Sequence, residues 1–264
     1  MNRSISTRHG AAALGALLLL VAAGCGSDSS STSSAGPTTS TTVPPVIDPG
    51  DGGDYAPELD PADFVDVIDN PYLPLTVGSR WVYEGPADEP GQMERIEVVV
   101  LPDRKEVLGI SATVVRDTVT VNGVLLEDTY DWYAQDKEGN VWYLGEDVKN
   151  YEDGKLVDTD GSFEAGIDGA YPGIVMLARP AVGDAYRQEF YEGEAEDMGE
   201  VVSIGGSKTV PAGTYTNVLV TKDWNPLEPE VVEQKTYAPG VGVIYEEHIQ
   251  GGAGTSTLIS FTPA

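Results

Sequence analysis

Acidic residues concentrate in two short segments of this chain, with a spacing that could hold a cation. The first segment surrounds Gly161 and the second follows Gly193; the candidate ligands are Asp158, Asp160 and Glu164, then Glu194, Glu196 and Asp197. Calcium sites use several oxygens from one flexible segment, although the spacing of an EF-hand is absent here. We therefore expect either a calcium site or two solvated acidic loops, since a chain with 43 Asp and Glu residues clusters some of them by chance.

Aromatic residues are densest between residues 128 and 147. The candidate ligand-binding side chains are Tyr130, Trp132, Tyr133, Trp142 and Tyr143. If Gln135 pairs with Val141, strand alternation predicts two faces: Tyr130, Trp132, Leu144 and Glu146 on one, and Asp131, Tyr133 and Tyr143 on the other. Such a set is typical of an aromatic platform with a carboxylate, as sugar-binding sites use. Ordinary cross-strand aromatic pairing is the alternative.

Catalytic chemistry finds little support in the remaining residues. Two carboxyl groups can hydrolyse a glycoside, but nothing singles out one pair among 43 acids. His248 could serve as a general base, yet its place near the end of a predicted strand favours a surface or packing role. The segment around Gly205 and Ser207 matches no phosphate-binding loop or nucleophile elbow. No catalytic residue is therefore assigned.

Composition excludes several classes of partner and site. The chain has 264 residues, a formal charge of −28 and a pI near 4.1. This argues against nucleic acid, because phosphate neutralisation needs clustered Lys and Arg. A single Cys excludes an internal disulfide and any metal site with two or four Cys ligands. No cofactor is expected beyond the calcium considered above.

The first 24 residues have the organisation of a secretory signal peptide. Arg3 and Arg8 precede an apolar run, residues 11–23, that is too short to span a bilayer. The following Ala22-Ala23-Gly24-Cys25 resembles the bacterial lipobox, although Ala22 stands where that pattern usually has Leu, Val or Ile. The resemblance implies that the Cys25 thiol takes a diacylglycerol and anchors the chain to the extracytoplasmic face of the cell membrane. An ordinary signal peptide with a Cys near its cleavage site is the alternative.

Residues 25–58 are predicted to be a disordered tether. Ser and Thr dominate residues 27–42, and Pro and Gly follow up to about Tyr55. This composition buries too little apolar area to fold. A flexible chain of about 30 residues reaches a few nanometres, which would hold a domain clear of the lipid headgroups.

Residues 59–264 are predicted to form one mainly β domain. Turns recur every ~10–15 residues, and no long segment has the period of a helix. Hairpins are predicted at Asn122-Gly123 and Asp153-Gly154, and a type I turn with a Gly bulge at residues 136–140. Asp60 followed by Pro61 predicts the N-cap of a short helix to Ile68. The expected fold is an antiparallel meander that forms a barrel or a strongly curved sheet, with at most short helices.

Several stretches of this domain resemble a family of bacterial secreted and lipoprotein domains of the actinobacterial type. They are residues 70–75 with 78–85, 130–147, 192–198 and 237–243. The likeness runs from about residue 65 to the end and implies no activity, because the family has no established function. Residues 210–215 and 237–243 are also similar to segments of envelope lipoproteins built on curved antiparallel sheets, including lipid carriers.

These features predict a lipid-anchored extracytoplasmic lipoprotein whose non-catalytic β domain binds a small or apolar ligand or an envelope partner. An apolar ligand would be enclosed by strand residues such as Val115, Leu126, Trp132, Leu144, Phe190 and Val220. Calcium binding through the acidic loops and glycoside hydrolysis by two carboxyl groups are the alternatives. The expected partners are the membrane, through Cys25, and an unidentified ligand or envelope protein.

Overall fold

The computed structural model describes residues 55–87, 90–252 and 254–264. The predicted signal peptide, Cys25 and the tether up to residue 54 lie outside this part of the chain, so those expectations stay predictions. Among the described residues, no helix has the length and apolar character needed to cross a membrane.

Nearly all regular structure is β-strand. The helical element of the described residues is one 3₁₀ turn, Pro61–Asp63. The strands are β1 Phe64–Val65, β2 Arg80–Pro86, β3 Met93–Val107, β4 Ile110–Val121, β5 Val124–Asp136, β6 Val141–Asp147, β7 Asn150–Glu152, β8 Lys155–Asp158, β9 Phe163–Glu164, β10 Tyr171–Met176, β11 Ala185–Arg187, β12 Glu189–Phe190, β13 Met198–Ile204, β14 Ser207–Val210, β15 Gly213–Thr216, β16 Leu219–Trp224, β17 Val232–Ala238, β18 Gly242–Gln250 and β19 Thr255–Thr262. The predicted fold class, mainly β and antiparallel with at most short helices, is confirmed.

Seventeen of these strands form one antiparallel sheet that curls into a nearly closed barrel. Consecutive strands pair from β2 to β6 and from β16 to β19, and β19 returns to pair with β2. The two ends of the sheet approach each other at β10, which pairs with β6 on one side and β12 on the other. The short strands β11 and β12 then lead to β13, which pairs with β11 and β16. This closure brings side chains that are distant in sequence to one interior.

The predicted tight turns are confirmed. Asn122-Gly123 joins β4 to β5 and Asp153-Gly154 joins β7 to β8, and all four residues have φ between 50° and 81°. Two-residue hairpin turns require such positive φ values. In the turn over residues 136–140, Asp136 Oδ1 accepts the backbone N–H groups of Glu138, Gly139 and Asn140.

The expectation of a helix from Pro61 to Ile68 is wrong beyond its first turn. Asp60 caps that turn as predicted, because its Oδ1 accepts the N–H of Ala62 at 2.9 Å. Phe64 and Val65 then pair with the end of β5. The sheet edge therefore takes the backbone groups that a longer helix would have used.

The described chain is already packed at its first residue. Tyr55 is buried, and its hydroxyl donates to the carbonyl of Pro172 at 2.8 Å. Its ring meets Phe190 edge-on at a centroid distance of 5.8 Å. The packed part of the chain thus includes Tyr55, which lies before residue 59, the predicted start of the domain.

The interior has an apolar part and a polar part. Ile68, Leu73 and Leu75 are buried in the apolar core beside Trp81, whose indole N–H donates to the carbonyl of Val241 at 2.7 Å. Each fully buried aliphatic side chain stabilises the fold by roughly 1.5–3 kcal/mol. Elsewhere in the barrel the buried side chains are charged, and these form the candidate site.

Candidate functional site

Among the described residues, six carboxyl groups are buried in the barrel on six different strands. We call them the interior carboxyl cluster: Asp117 on β4, Asp131 on β5, Glu146 on β6, Glu189 on β12, Asp223 on β16 and Glu246 on β18, each at most 7% exposed. An isolated ionised carboxylate is expensive to bury, so such a group pairs with a cation, accepts hydrogen bonds or takes up a proton. The chemistry of this interior therefore depends on whether a cation, hydrogen bonds or a proton stabilises each carboxyl group of the cluster.

A bulge in β6 places Glu146 in the cluster. Gln135 pairs with Val141 and Tyr133 with Tyr143, as predicted, but the register then shifts so that Asp131 faces Glu146. Gly145 makes the shift with φ of 134°, and a Cβ there would lie 2.3 Å from the carbonyl oxygen of Phe163. The prediction that Glu146 lies on the face opposite Asp131 is therefore wrong, because simple alternation ignores the extra residue of a bulge.

Asp131 is held by a stacked tyrosine pair. The rings of Tyr133 and Tyr143 lie 4.9 Å apart at 23°. The Tyr143 hydroxyl donates to Asp131 Oδ1 at 2.7 Å. Burial raises the pKa of Asp131 to about 7, and the hydrogen bond from Tyr143 offsets only part of that rise. Asp131 therefore changes its charge near neutral pH.

The buried cations of the described residues are Lys235 and Arg187. The Lys235 ammonium lies 3.0 Å from Asp223 Oδ2. Burial opposes the charge of Lys235, but Asp223 and Glu246 with other acids outweigh it and hold its pKa well above the usual value. The Arg187 guanidinium lies 4.3 Å from the ring centre of Phe190. The buried carboxyl groups therefore outnumber the buried cations.

The four other carboxyl groups of the cluster, apart from Asp131 and Asp223, favour the protonated state. Burial is the largest cause that raises the pKa of Asp117, Glu146, Glu189 and Glu246 well above the usual value, and neighbouring acids raise it further. Both carboxyl oxygens of Glu189 and the Oδ1 atom of Asp117 are buried without a hydrogen-bond partner. The buried carboxyl groups that exceed the buried cations in number therefore favour the protonated form over an ion pair.

A half-open cavity reaches part of the cluster. Its volume is about 20 Å³, which is room for about one water molecule. The polar and charged residues of its lining are Tyr83, Asp117, Lys235, Glu246 and Ser256. The aliphatic residues of its lining are Ile96, Val98 and Val243. The cavity therefore offers a compact polar group contact with two carboxyl groups.

Asp117, Glu189, Asp223 and Glu246 were not among the residues predicted from the sequence. A signal for some of them was nevertheless present, because their charges lie on the apolar faces of their strands. Asp117 alternates with the buried Val115 and Val119, and Glu246 follows the buried Ile244 by two residues. A charge at such a position predicts a buried polar group.

The five candidate ligand-binding aromatics do not share one surface. Tyr133 and Tyr143 lie in the interior beside Asp131. The other three contact polar groups elsewhere: Tyr130 the Arg116 guanidinium at 5.5 Å, Trp132 the Lys105 ammonium at 4.7 Å, and Trp142 the Asp136 carboxylate at 2.9 Å. The structure therefore separates the two faces that the alternation predicted and leaves one tyrosine pair next to a carboxyl group.

The candidate calcium ligands are likewise not brought together. Asp158 Oδ1 accepts from the Asn150 amide at 2.7 Å and from the N–H of Asp160 at 3.3 Å. Glu164 pairs with Lys105 at 3.0 Å. Across residues 55–87, 90–252 and 254–264, no group of three or more acidic, His or Cys side chains is arranged to hold a metal ion.

The second acidic segment is also satisfied locally. Glu196 Oε1 accepts the N–H of Gly193 at 2.9 Å. Glu194 donates its own N–H to the carbonyl of Tyr191 at 2.9 Å, within the same turn. Asp197 lies next to the barrel, and burial raises its pKa to about 7. This segment therefore forms a turn in which local hydrogen bonds use two of the predicted residues.

Comparison with known proteins gives two structural likenesses. No protein-family model matches the chain, and no curated protein matches its sequence. A crystal structure from Bacteroides fragilis NCTC 9343, provisionally named an exported protein with a YmcC-like fold, is 16% identical with a TM-score of 0.42 and covers 73% of this chain and 99% of that one. A structure provisionally named a lipoprotein, from Parabacteroides distasonis ATCC 8503, is 15% identical with a TM-score of 0.35 and covers 72% and 98%. At this similarity neither structure indicates a function for this chain.

Proposed function

We propose that this chain is a lipid-anchored extracytoplasmic lipoprotein whose barrel is a non-catalytic domain that binds a small polar ligand or an envelope partner. The signal peptide and Cys25 would supply the anchor, and the Ser/Thr-rich segment would space the barrel from the lipid. Tyr55 is already packed on the barrel, and residues 26–54 lie between it and Cys25 in the sequence.

The observation that carries the binding part is the small charged cavity beside the interior carboxyl cluster. Pockets for drug-sized ligands measure about 300–1,000 Å³ and are mostly apolar, whereas this cavity measures about 20 Å³ and contacts Asp117, Lys235 and Glu246. It favours a compact polar group over a lipid. Asp131 and Glu146 are at most 3% exposed, so a glycoside could not reach this pair of carboxyl groups.

Metabolic labelling with a fatty-acid precursor tests the anchor. The wild-type chain should become labelled and sediment with membranes, and Cys25→Ala should be unlabelled and released. Ser27→Ala is the matched control, because it changes the same segment and keeps the thiol. Unchanged labelling of Cys25→Ala would contradict the lipoprotein assignment.

Native mass spectrometry of the full-length Cys25→Ala protein tests the binding part. A bound mass that survives purification without detergent and is lost on unfolding would support a small-ligand function. A bare polypeptide mass would contradict tight binding of a small ligand and leave the envelope partner as the role of the barrel.

A further inference from the structure

We infer that the half-open cavity beside Asp117 and Glu246 is a binding site for the ammonium group of a small primary amine. The inference rests on the proposed binding function and names the class of its ligand. The cavity lies between β2, β3 and β4 on one side and β17, β18 and β19 on the other, so residues from both halves of the sheet contribute to it.

The polar lining includes a buried acceptor that has no donor. Asp117 is 2% exposed, and its Oδ1 atom has no hydrogen-bond partner. The Tyr83 hydroxyl already donates to the carbonyl of Val243 at 2.9 Å. A ligand group that brings hydrogen-bond donors and a positive charge therefore complements the two carboxyl groups, since a buried acceptor without a donor costs free energy.

The charge balance at the cavity also favours a cation. Lys235 lines the cavity, but its ammonium lies 3.0 Å from Asp223, so the two charges of that pair match each other. Glu246 shares the Lys235 charge with Asp223, and the charged neighbours of Asp117 are acids that raise its pKa. An incoming positive charge would stabilise both carboxylates, because opposite charges within a few ångströms favour the ionised form.

Size and shape select an ammonium group among the cations. A volume of about 20 Å³ suits a group the size of a water molecule, and an ammonium nitrogen with its protons is of that size. The described residues gather no three-ligand group for a metal ion. Ile96, Val98 and Val243 form the rest of the wall, where the alkyl part of an amine can pack.

Thermal unfolding of the full-length protein with methylammonium chloride tests the site, with sodium chloride at the same ionic strength as the reference. A ligand that binds the native state raises the melting temperature. Wild type should gain about 3 °C or more over the sodium chloride reference at tens of millimolar methylammonium. Isothermal titration calorimetry should show binding with a stoichiometry of one.

Two neighbouring residues of β18 provide matched variants. Glu246→Gln removes a carboxyl group that lines the cavity, whereas Glu247→Gln removes one that contacts the Tyr245 hydroxyl. Asp117→Asn and Glu246→Gln should each weaken methylammonium binding at least tenfold, and Glu247→Gln should leave it unchanged. Both interior variants replace a group that favours its neutral form, so they should fold.

Three results would overturn the inference. The first is an equal rise in melting temperature with sodium chloride, which would show general screening of the acidic chain. The second is unchanged binding in Asp117→Asn and Glu246→Gln, and the third is an equal loss in Glu247→Gln. If the chain is lipidated but does not bind methylammonium, the inference about the amine site is wrong and the proposed anchor stands. If the chain binds methylammonium but is not lipidated, only the proposed anchor is wrong.

Discussion

The two faces of the same barrel strands handle charge in opposite ways. On the outside, Arg116 pairs with Asp128 at 2.7 Å and Arg95 with Glu84 at 2.8 Å, and both arginines are more than 40% exposed. In the interior of the described barrel, six buried carboxyl groups share two buried cations. The outer pairs are solvated and contribute little each, whereas every interior charge is desolvated and its neutralisation strongly affects folding.

This difference shows that net charge alone does not locate the acids that matter. A formal charge of −28 is mostly a property of the solvated surface. The few acids that lie on apolar strand faces are those whose protonation is coupled to folding and to the proposed ligand. The substitutions below compare the two faces, and the largest expected effect comes first.

Removal of the interior cation should have the largest effect. Lys235→Met would leave Asp223 and Glu246 without their buried ammonium partner and should lower the free energy of unfolding by about 3–5 kcal/mol. Urea unfolding at pH 8 measures this loss. Lys222→Met is the control, because Lys222 is 36% exposed and should cost less than about 1 kcal/mol. Equal losses would contradict the distinction between the two faces.

The bulge that turns Glu146 inward should tolerate no side chain. Gly145→Ala combines an unfavourable φ with a contact of 2.3 Å to a carbonyl oxygen, and should cost about 3 kcal/mol. Gly123→Ala has a positive φ with open space around the new Cβ and should cost about 1 kcal/mol. A Gly145→Ala variant as stable as Gly123→Ala would show that the bulge is not fixed by this glycine.

The stability of the protein should fall as the pH rises from 5 to 8. The pKa of Asp131 is about 7 in the folded state against a usual 3.8, so between these values the folded state binds a proton that the unfolded state has lost. Such a group lowers the free energy of unfolding by up to about 1.4 kcal/mol per pH unit in that window. We expect a total loss of about 2 kcal/mol or more, measured by urea unfolding.

The matched variant for this pH dependence is Asp131→Asn, which should reduce the slope of the profile, while the other buried carboxyl groups keep part of it. Glu97 does not interfere, because the hydrogen bond from Arg80 lowers its pKa and its effect therefore lies below pH 5. A protein that gains stability between pH 5 and 8 would contradict the protonated interior.

The smallest effect is expected on the outer face. Asp128→Asn breaks the pair with Arg116, whose side chain is 42% exposed, and should cost less than about 1 kcal/mol. Its effect should shrink further in high salt, because salt screens exposed charges. A loss of 3 kcal/mol in the same unfolding assay would place this pair with the interior charges.

Local features of the fold could be predicted from the sequence. The hairpins at Asn122-Gly123 and Asp153-Gly154 and the pairing of Gln135 with Val141 follow from turn chemistry and strand alternation. The closure of the barrel through β10 and β12 could not, because Tyr171 pairs with Phe190 of a two-residue strand that has no local signal in the sequence.

The candidate site was harder to predict than the fold. Asp131, Tyr133 and Tyr143 were placed on one face by alternation, but the bulge at Gly145 moved Glu146 to the same side. The remaining members come from β4, β12, β16 and β18, which only the tertiary structure brings together. The two dense acidic loops predicted to bind calcium form local hydrogen bonds instead.

A carbon-detected NMR titration of the Asp and Glu carboxyl groups in the full-length protein tests the account most directly. The carboxyl groups of Asp117, Glu146, Glu189 and Glu246 should titrate at clearly higher pH than the exposed carboxyl groups, since burial raises their pKa well above the usual value. The Asp131 carboxyl should titrate with a midpoint of about 7. Titration of every Asp and Glu carboxyl below pH 5 would contradict a barrel interior that holds its excess acid with protons.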